Sequence, residues 1–439
     1  MARTPNWFGH LNRTALFLVF GFFCVLFGFL ATITGMFPAP FFRAALLELS
    51  GRGAVGLFQS DLYVPADSAK AGITRYDPQR AYNGYTIFTS AHTQGAFLID
   101  MKGKVVHKWA LPYSKVWNRD AAVTKPPTTG VFWDKAYLYP NGDVLAIYSC
   151  LGQRLYGCGL VKMDQYSHPQ WTYLKHVHHD VTVGADGKIY TLTQRSRAQV
   201  PPAAGDIALP TIDDSVVVLS PQGKVLKEVS VLDALAGSKY HGILALQRYM
   251  GEEGYDQDPL HVNSVTPMPA SFRKTFPFAG PDTVLISSRD LDTIALLDLD
   301  SGKIVWLLHG PFARQHDAEF LANGDLMVFD DLGDTSNGRY SRVLEFQPDP
   351  FKIVWQFPGD SGEKLDSEIL GSVQKLPNGN VLITDGDKGR ILEVTPEKKV
   401  VWEYNNAFRQ GDKKEYVPII RWARRFAPDR LHFKLDQDG

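Results

Sequence analysis

Short apolar stretches alternate with polar turns along most of this chain. The stretch "RQHDAEFLANGDLMVFDD", from Arg314 to Asp331, is representative, because two apolar strands flank an Asn323-Gly324 turn. Asn-Gly between apolar runs is the strongest short-range hairpin signal, since both turn residues tolerate a positive φ. The pattern therefore predicts a β-hairpin.

This hairpin belongs to a repeat that ends in a motif of the form GK-apolar-VW. Trp306, Trp355 and Trp402 mark successive copies, 49 and 47 residues apart. Looser copies end at Trp109, Trp171 and near Val229. A period of about 40–50 residues with four short strands per copy is typical of a β-propeller. The six endings predict an all-β fold with six blades; blurred boundaries before Thr128 leave seven or eight blades open.

An uncharged segment from Thr14 to Phe37 precedes the repeats. It is long enough to cross a hydrocarbon core of roughly 30 Å, and it exceeds the apolar region of about 7–15 residues in a cleaved signal peptide, the competing interpretation. Arg3 and Arg13 precede the segment and Arg43 is the next charge, which favours a cytoplasmic tail. We therefore expect a single-pass protein of the inner membrane whose globular domain lies in the periplasm or outside the cell.

The predicted organisation is a cytoplasmic tail (1–13), a transmembrane helix (14–37), a juxtamembrane helix over 41–58 with a linker over 61–79 (together 38–80), and a propeller domain (81–439). The chain has 46 basic and 47 acidic residues and a net charge of −1, so no basic surface for nucleic acid is indicated. No G-x-x-x-x-G-K loop for a nucleotide is present, and we expect no cofactor.

Cysteine usage fits an exported domain. Cys24 lies inside the predicted span, whereas Cys150 and Cys158 flank "LGQRLYG", a short loop that an oxidising compartment could close with a disulfide. No C-x-x-C pair accompanies histidines at zinc spacing, so a structural zinc site is rejected.

Histidines open the first strand of three copies. His316 and His179 each lie seven residues before their hairpin turns, and His261 opens "HVNSVTPMP" in the same relation to the local apolar pattern. The first strand of a propeller blade lines the central channel, so we expect these three side chains at one mouth of the channel. His178 should point away from the mouth by strand alternation, unless a bulge reverses the two neighbours.

Other polar residues fall near this mouth. Asn263 follows His261, and Arg289, Arg195 and the pair Asp330-Asp331 end second strands. A His-Asp pair at a strand start could merely cap the strand and bond to the neighbouring blade. Three imidazoles would suit zinc, but a wide mouth and a nearby arginine argue against a metal. Histidines with arginine instead describe an anion pocket with a possible nucleophile, suited to sulfate or phosphate esters.

These motifs resemble the bacterial arylsulfate sulfotransferase family, which transfers a sulfuryl group between phenols without a nucleotide donor. The resemblance covers roughly Tyr82 to Phe433. It rests on "HHD" (His178–Asp180), "HVNSV" (His261–Val265), "SSRD" (Ser287–Asp290), "QHDAEFLANG" (Gln315–Gly324) and "IIRWARRF" (Ile419–Phe426). Well-known members also carry a separate β-domain before the propeller, for which 38–80 is too short, and they lack a retained anchor.

The resemblance implies a six-bladed propeller with the site at the channel mouth. It implies that His316 is transiently sulfurylated, that His261, Asn263 and Arg289 hold the sulfate oxygens, and that "HHD" supplies a further histidine, His179 by register. His178 and Arg195 are further substrate-binding candidates, and the expected substrates are an aryl sulfate donor and a phenolic acceptor.

Physical chemistry suggests how such a site works. Sulfuryl transfer, like phosphoryl transfer, should pass through a loose transition state with charge on three peripheral oxygens. We expect a protonated His179 to assist departure of the phenoxide, and Asp317 or a backbone carbonyl to fix the tautomer of His316. Two other functions stay open: a non-catalytic envelope propeller for scaffolding or glycan binding, and a sulfate or phosphate ester hydrolase.

Overall fold

The computed structural model realises the predicted alternation as an all-β structure. It describes residues 62–66, 70–123, 130–151, 155–205, 207–246, 258–335, 340–359 and 361–436, together with the helical positions Phe22, Cys24 and Leu26. The chain divides into two compact units, Met1–Ser60 and Asp61–Gly439. Across the described ranges no helix has the length and apolar character needed to traverse a bilayer. The predicted tail, transmembrane helix and juxtamembrane helix lie outside these ranges, apart from the three helical positions.

The described strands in chain order are β1 (Tyr63–Pro65), β2 (Gly72–Tyr76), β3 (Tyr85–Ser90), β4 (Gly95–Ile99), β5 (Val105–Ala110), β6 (Val131–Leu138), β7 (Val144–Cys150), β8 (Gly157–Met163), β9 (Pro169–Tyr173), β10 (Val177–Val183), β11 (Ile189–Arg197), β12 (Thr211–Leu219), β13 (Val225–Ser230), β14 (Val262–Pro267), β15 (Thr283–Ser288), β16 (Thr293–Asp298), β17 (Lys303–His309), β18 (His316–Phe320), β19 (Leu326–Asp334), β20 (Tyr340–Pro348), β21 (Phe351–Phe357), β22 (Gly371–Lys375), β23 (Val381–Asp385), β24 (Arg390–Val394), β25 (Val400–Asn405), β26 (Tyr416–Pro418) and β27 (Ile420–Phe426). Short helices connect some of them: the α-helices α1 (Tyr113–Val116) and α2 (Val231–Ala236), and 3-10 helices at Pro202–Ala204, His241–Leu246, Ala270–Lys274, Arg289–Leu291, Gly386–Lys388 and Pro428–Arg430.

Six antiparallel sheets form the blades of a propeller. Blade I has the order β27-β3-β4-β5, and blades II to V are β6–β9, β10–β13, β14–β17 and β18–β21. Blade VI is β22–β25 with β2 as a fifth, outer strand, and β1 pairs with β26. The prediction of a six-bladed, all-β propeller is confirmed. The stretch 61–79, predicted as a linker, supplies β1 and β2.

The repeat in the sequence has a physical reason. The six motif endings are the outer strands β5, β9, β13, β17, β21 and β25. Four of their tryptophans donate the indole N–H to a carbonyl in a turn of the following blade, at 2.9–3.1 Å: Trp109, Trp171, Trp355 and Trp402. The aromatic ring is packed, and the hydrogen bond donated by its indole N–H joins one blade to the next.

Both faces of each blade are buried against neighbours. Six clusters of buried apolar side chains each join two adjacent blades; between blades III and IV, for example, Leu192 and Val216 share a cluster with Val262 and Val265. Burial contributes roughly 25 cal/mol per Å² of apolar surface, so these inter-blade layers hold the ring together. Polar side chains are left for the central channel and its mouths.

Candidate active site

The inner strands are irregular near one mouth of the channel. Register shifts interrupt β10 after His178, β14 after Val262 and β18 after His316. His179, His261 and Asp317 have left-handed φ values of 51°, 46° and 51°, which few residues other than glycine adopt. Bulges of this kind re-aim side chains and are common beside active sites.

The bulges bring the three predicted histidines together. The His179 ring centroid lies 5.0 Å from that of His261 and 6.3 Å from that of His316, which confirms the predicted convergence. His179 and His316 line a cavity of about 40 Å³, with room for roughly three water molecules. Its lining residues are Asp134, Lys135, His179, Asp180, Asn263, His316, Asp317, Ile369, Leu370, Gly371, Ser372, Arg421 and Trp422. His261 and Arg289 stand beside this lining rather than in it.

His316 is held through one nitrogen. Its Nδ1 lies 3.0 and 2.9 Å from the two carboxylate oxygens of Asp331, whereas its buried Nε2 has no hydrogen-bond partner. Burial, followed by the charge of Arg289, lowers the pKa of His316 well below its usual value, and burial raises the pKa of Asp331. One proton shared between Nδ1 and the carboxylate leaves a lone pair on Nε2. The partner expected from the sequence was Asp317 or a backbone carbonyl; the carboxylate at Nδ1 is that of Asp331, not Asp317.

The ambiguity between His178 and His179 is resolved by strand pairing. His178 stands opposite Leu192 in the ladder, as His316 stands opposite Phe329, and His179 is pushed out into the bulge. His179 and His316 each lie seven residues before a turn, but they therefore occupy different positions in the ladder. His179 lines the cavity, and the fully buried His178 lies behind it.

His261 is paired with an acidic residue that the sequence did not indicate. Its Nδ1 lies 3.0 Å from Asp258. Burial lowers the pKa of His261, but the attraction of Asp258 outweighs burial and the net shift is upward. Arg289 is joined to His261 through the backbone, since its N–H donates to the His261 carbonyl at 3.1 Å. The Arg289 guanidinium contacts Asp290 at 3.0 Å, and its buried Nε has no partner.

Two further candidates differ in placement. Asn263 lines the cavity and donates through Nδ2 to the Gln315 carbonyl at 2.8 Å, while its buried Oδ1 has no partner. Arg195 is not a lining residue of the cavity; it forms a two-nitrogen contact with Asp213 at 2.7 and 3.0 Å, and its side chain is half exposed. The structure therefore does not bring Arg195 to the site.

Sequence reasoning also missed three residues that line the cavity or contact His179. Arg421 of β27 lines the cavity and is bound to Asp134 at 2.6–2.7 Å. Lys135 lines it as well and contacts Asp180 at 2.5 Å. The Tyr156 hydroxyl lies 2.7 Å from His179 Nδ1. Arg421 could have been found, because blade I lacks an inner strand of its own and only the C-terminal "IIRWARRF" can complete it; Tyr156 sits outside the repeats and carries no such signal.

The aspartates that follow the histidines form hydrogen bonds between neighbouring blades. Asp180 accepts the backbone N–H of Val265, and Asp317 accepts that of Val373, each at 2.8 Å and each on the following blade. This is the strand-capping role considered for the His-Asp pairs, and it applies to the aspartates while the histidines face the cavity. Within the described residues, no group of three or more His, Cys, Asp or Glu is arranged to hold a metal ion.

The predicted disulfide between Cys150 and Cys158 is confirmed, with Cα atoms 6.0 Å apart. It closes the loop that carries Tyr156, at the junction of β7 and β8. Both cysteines are fully buried. The bond therefore fixes the backbone on either side of a residue that touches His179.

Comparisons with solved structures return matches at low identity. A protein of unknown function from Bacteroides caccae has a TM-score of 0.48 at 12% identity, over 74% of this chain and 96% of its own. The virginiamycin B lyase of Staphylococcus aureus has a TM-score of 0.41 at 11% identity, over 79% of this chain and 88% of its own. No curated protein matches the chain significantly.

A family model gives a more specific result. The model described as arylsulfotransferase (ASST) matches residues 140–407, more than half of the chain. The matched range includes His179, His261, Arg289 and His316. The resemblance inferred from the motifs is thereby confirmed, and the chain belongs to the arylsulfotransferase family.

Proposed function

We propose that this protein is a nucleotide-independent sulfotransferase that moves a sulfuryl group from an aryl sulfate ester to a phenol through a sulfo-histidine on His316. The observation that carries the proposal is the pairing of His316: Asp331 engages Nδ1, and Nε2 is buried without a partner. A neutral imidazole with one free nitrogen is the form that a histidine nucleophile requires.

The two half-reactions balance as follows. The Nε2 lone pair of His316 attacks sulfur, an N–S bond forms, and the S–O bond to the aryl oxygen breaks with its electron pair on that oxygen. A proton from His179 converts the aryloxide into a phenol. In the second half-reaction an acceptor phenol returns its proton to His179, its oxygen attacks sulfur, and the electron pair of the N–S bond returns to Nε2.

Positively charged side chains around the cavity can stabilise the peripheral oxygens of a bound sulfate ester. Arg421 and Lys135 line the cavity, and the charges of Arg289 and a protonated His261 act on it from beside it. Such groups, fixed before the substrate arrives, stabilise charge that spreads over the oxygens in a loose transition state. The size of the cavity suits a sulfuryl group rather than a whole aryl ester. The aryl ring would therefore lie at the mouth beside Ile369, an apolar side chain that is 47% exposed.

The role of His179 differs from the sequence expectation in one respect. Burial, followed by the charge of His261, lowers the pKa of His179 well below its usual value, so the empty site holds it neutral near pH 7. A bound sulfate ester adds a negative charge and favours protonation. We therefore propose that His179 takes up its proton when the donor binds.

We also propose the remaining parts of the sequence interpretation: an anchor helix over 14–37, a cytoplasmic tail over 1–13, and a propeller domain in the periplasm or outside the cell. The uncharged N-terminal segment supports the anchor. The Cys150–Cys158 bond supports an oxidising compartment.

The test is brief exposure to 4-nitrophenyl sulfate without acceptor, followed by intact-mass analysis. Wild type should gain one acid-labile sulfuryl group, and His316→Asn should gain none and lose transfer by several orders of magnitude. His309→Asn is the matched control, because His309 lies on outer strand β17 and bonds to the Leu291 carbonyl. A wild type that transfers sulfate yet is never labelled would indicate direct displacement. Release of inorganic sulfate at the same rate with and without phenol would indicate a hydrolase.

A further inference from the structure

A line of buried polar groups leads away from the cavity behind His179. His178 Nδ1 lies 2.8 Å from His179 Nδ1, and His178 Nε2 lies 3.3 Å from Oδ1 of Asp214, an ion-pair distance at which the two atoms form no hydrogen bond. His178 and Asp214 are at most 1% exposed. Neither residue lines the cavity, so neither has a role in the sulfuryl transfer described above.

The contact between the two Nδ1 atoms restricts where protons can lie. At 2.8 Å one nitrogen must carry a proton and the other a lone pair. A carboxylate beside His178 Nε2 favours a proton on that nitrogen, which leaves the lone pair on His178 Nδ1. His179 Nδ1 is then the donor to His178, the Tyr156 hydroxyl oxygen 2.7 Å from the same nitrogen accepts from it as well, and His179 Nε2 is the nitrogen that remains for substrate.

Asp214 is fixed independently of the histidines. Its Oδ2 accepts the backbone N–H of Val262 at 2.8 Å, across the boundary between blades III and IV. The carboxylate therefore stays in place when His178 or His179 changes its protonation state. A buried carboxylate held in this way stabilises a positive charge that forms nearby, as in other carboxylate–imidazole pairs.

We infer that Asp214 and His178 are positioning residues that hold the Nδ1 proton of His179 and stabilise its imidazolium while Nε2 exchanges a proton with the aryl oxygen. The inference rests on the proposed sulfuryl transfer. The proton comes from solvent when the donor binds, passes from Nε2 to the departing aryloxide, and returns from the acceptor phenol. No proton is consumed over the full cycle.

The surroundings of His179 explain why such support is needed. Tyr156, His178, His261, His316 and Arg421 all face this imidazole, and the three other histidines and Arg421 oppose a positive charge on it. Asp214 supplies negative charge through His178. This negative charge counters the opposing cations when the bound donor adds its own charge and His179 takes up a proton.

Leaving groups of different basicity test the inference. Phenyl sulfate releases a basic phenoxide that needs a proton, whereas 4-nitrophenyl sulfate releases a phenoxide that needs little help. His178→Phe should lower kcat/KM for phenyl sulfate by about 10²–10³-fold, the range of general acid catalysis, and for 4-nitrophenyl sulfate by less than about tenfold. Asp214→Asn should act in the same direction. His176→Gln is the control, because His176 bonds to the Gly157 carbonyl and not to His179.

A binding measurement decides the matter without catalysis. Calorimetry with benzenesulfonate, whose S–C bond does not break, in buffers of different ionisation enthalpy counts the protons taken up. Wild type should take up about one proton per ligand at pH 7.5, and His178→Phe and Asp214→Asn less than half of that.

The outcomes are separable. Equal losses with both aryl sulfates, or unchanged proton uptake in folded variants, would overturn the relay. A wild type that binds benzenesulfonate with proton uptake but transfers nothing would overturn the proposed function; loss of that uptake in His178→Phe would then support only the stabilisation of the His179 imidazolium. A wild type that binds no sulfonate would overturn both.

Discussion

Asp331 controls which nitrogen of His316 carries a proton, because it is the partner of Nδ1. In Asp331→Asn the amide N–H₂ would donate to Nδ1 and place the imidazole proton on Nε2, where the nucleophilic lone pair is needed. We expect kcat to fall by about 10³–10⁴-fold, as when a triad aspartate becomes asparagine, with little change in KM. Steady-state kinetics and the extent of sulfurylation by mass measure this.

The neighbouring aspartate provides the control for this prediction. Asp330 is equally buried but bonds to Arg342 at 2.7 Å and to the Ala313 backbone. Asp330→Asn should lower the melting temperature while a folded sample keeps most of its kcat. If Asp331→Asn kept kcat within tenfold of wild type, the tautomer argument would be wrong.

At the scale of single residues, the sequence predicted site residues that recur in the repeats and did not predict those that do not recur. His179, His261 and His316 could be predicted because each stands at the start of a repeated strand. Tyr156 and Asp214 could not, because tertiary contacts alone place them beside a histidine, and Asp258 stands three residues before His261 without a recurring position. The length of a bulge cannot be predicted from the sequence either. Relative to its partner strand, the bulge of β10 contains one residue more than that of β18, so residues at the same distance from their turns occupy different positions in the ladder.

The hairpins and outer strands were the most predictable elements. Gly142 and Gly324 follow asparagine in turns predicted from the sequence, and their φ values of 87° and 96° are those that the turn requires. The tryptophan endings marked the outer strands correctly, since each ring packs at the same inter-blade position. β2 was not predicted as a strand, because its pairing with β25 lies more than three hundred residues away.

The loop between β7 and β8 depends on its covalent closure. Cys150 and Cys158 are eight residues apart, and closing a loop of that size stabilises a fold by about 2–3 kcal/mol in the chain-entropy account. The double variant Cys150→Ala/Cys158→Ala should lose roughly that free energy of unfolding, measured by urea denaturation. Reducing agent should destabilise wild type and leave the double variant unchanged. Equal stability of oxidised and reduced wild type would contradict this prediction.

Across the whole molecule, charged side chains inside the channel join different blades. Arg424 of blade I contacts Glu319 of blade V at 3.0 Å, and Lys135 of blade II contacts Asp180 of blade III at 2.5 Å. Asp317 lies among them, and burial, followed by the charge of Glu319, raises its pKa to about 7. The channel is therefore a place where folding and protonation are linked.

This linkage predicts a pH-dependent stability. Unfolded Asp317 titrates near 3.9, so between about pH 4 and 7 the folded state holds a proton that the unfolded chain releases, and stability falls as pH rises through this window. Asp317→Asn removes the effect. Relative to wild type, the variant should gain on the order of 2–4 kcal/mol between pH 5 and pH 8.

Urea denaturation at several pH values between 5 and 8 would measure this difference. The exposed Asp120→Asn is the control and should show a constant offset from wild type. Lys135 and Asp180 also face Asp317, so their charges must be left intact in the variants compared. A constant offset for Asp317→Asn as well would show that its carboxyl does not titrate in this range.

Blade I is completed by the last strand of the chain. Ile420 of β27 pairs with Ser90 of β3, and the next residue, Arg421, reaches the cavity. The pairing of β27 with β3 joins residues more than three hundred positions apart, and this pairing brings the Arg421 guanidinium to the cavity. A polypeptide truncated before Ile420 would therefore keep His179, His261 and His316 and lack this cation.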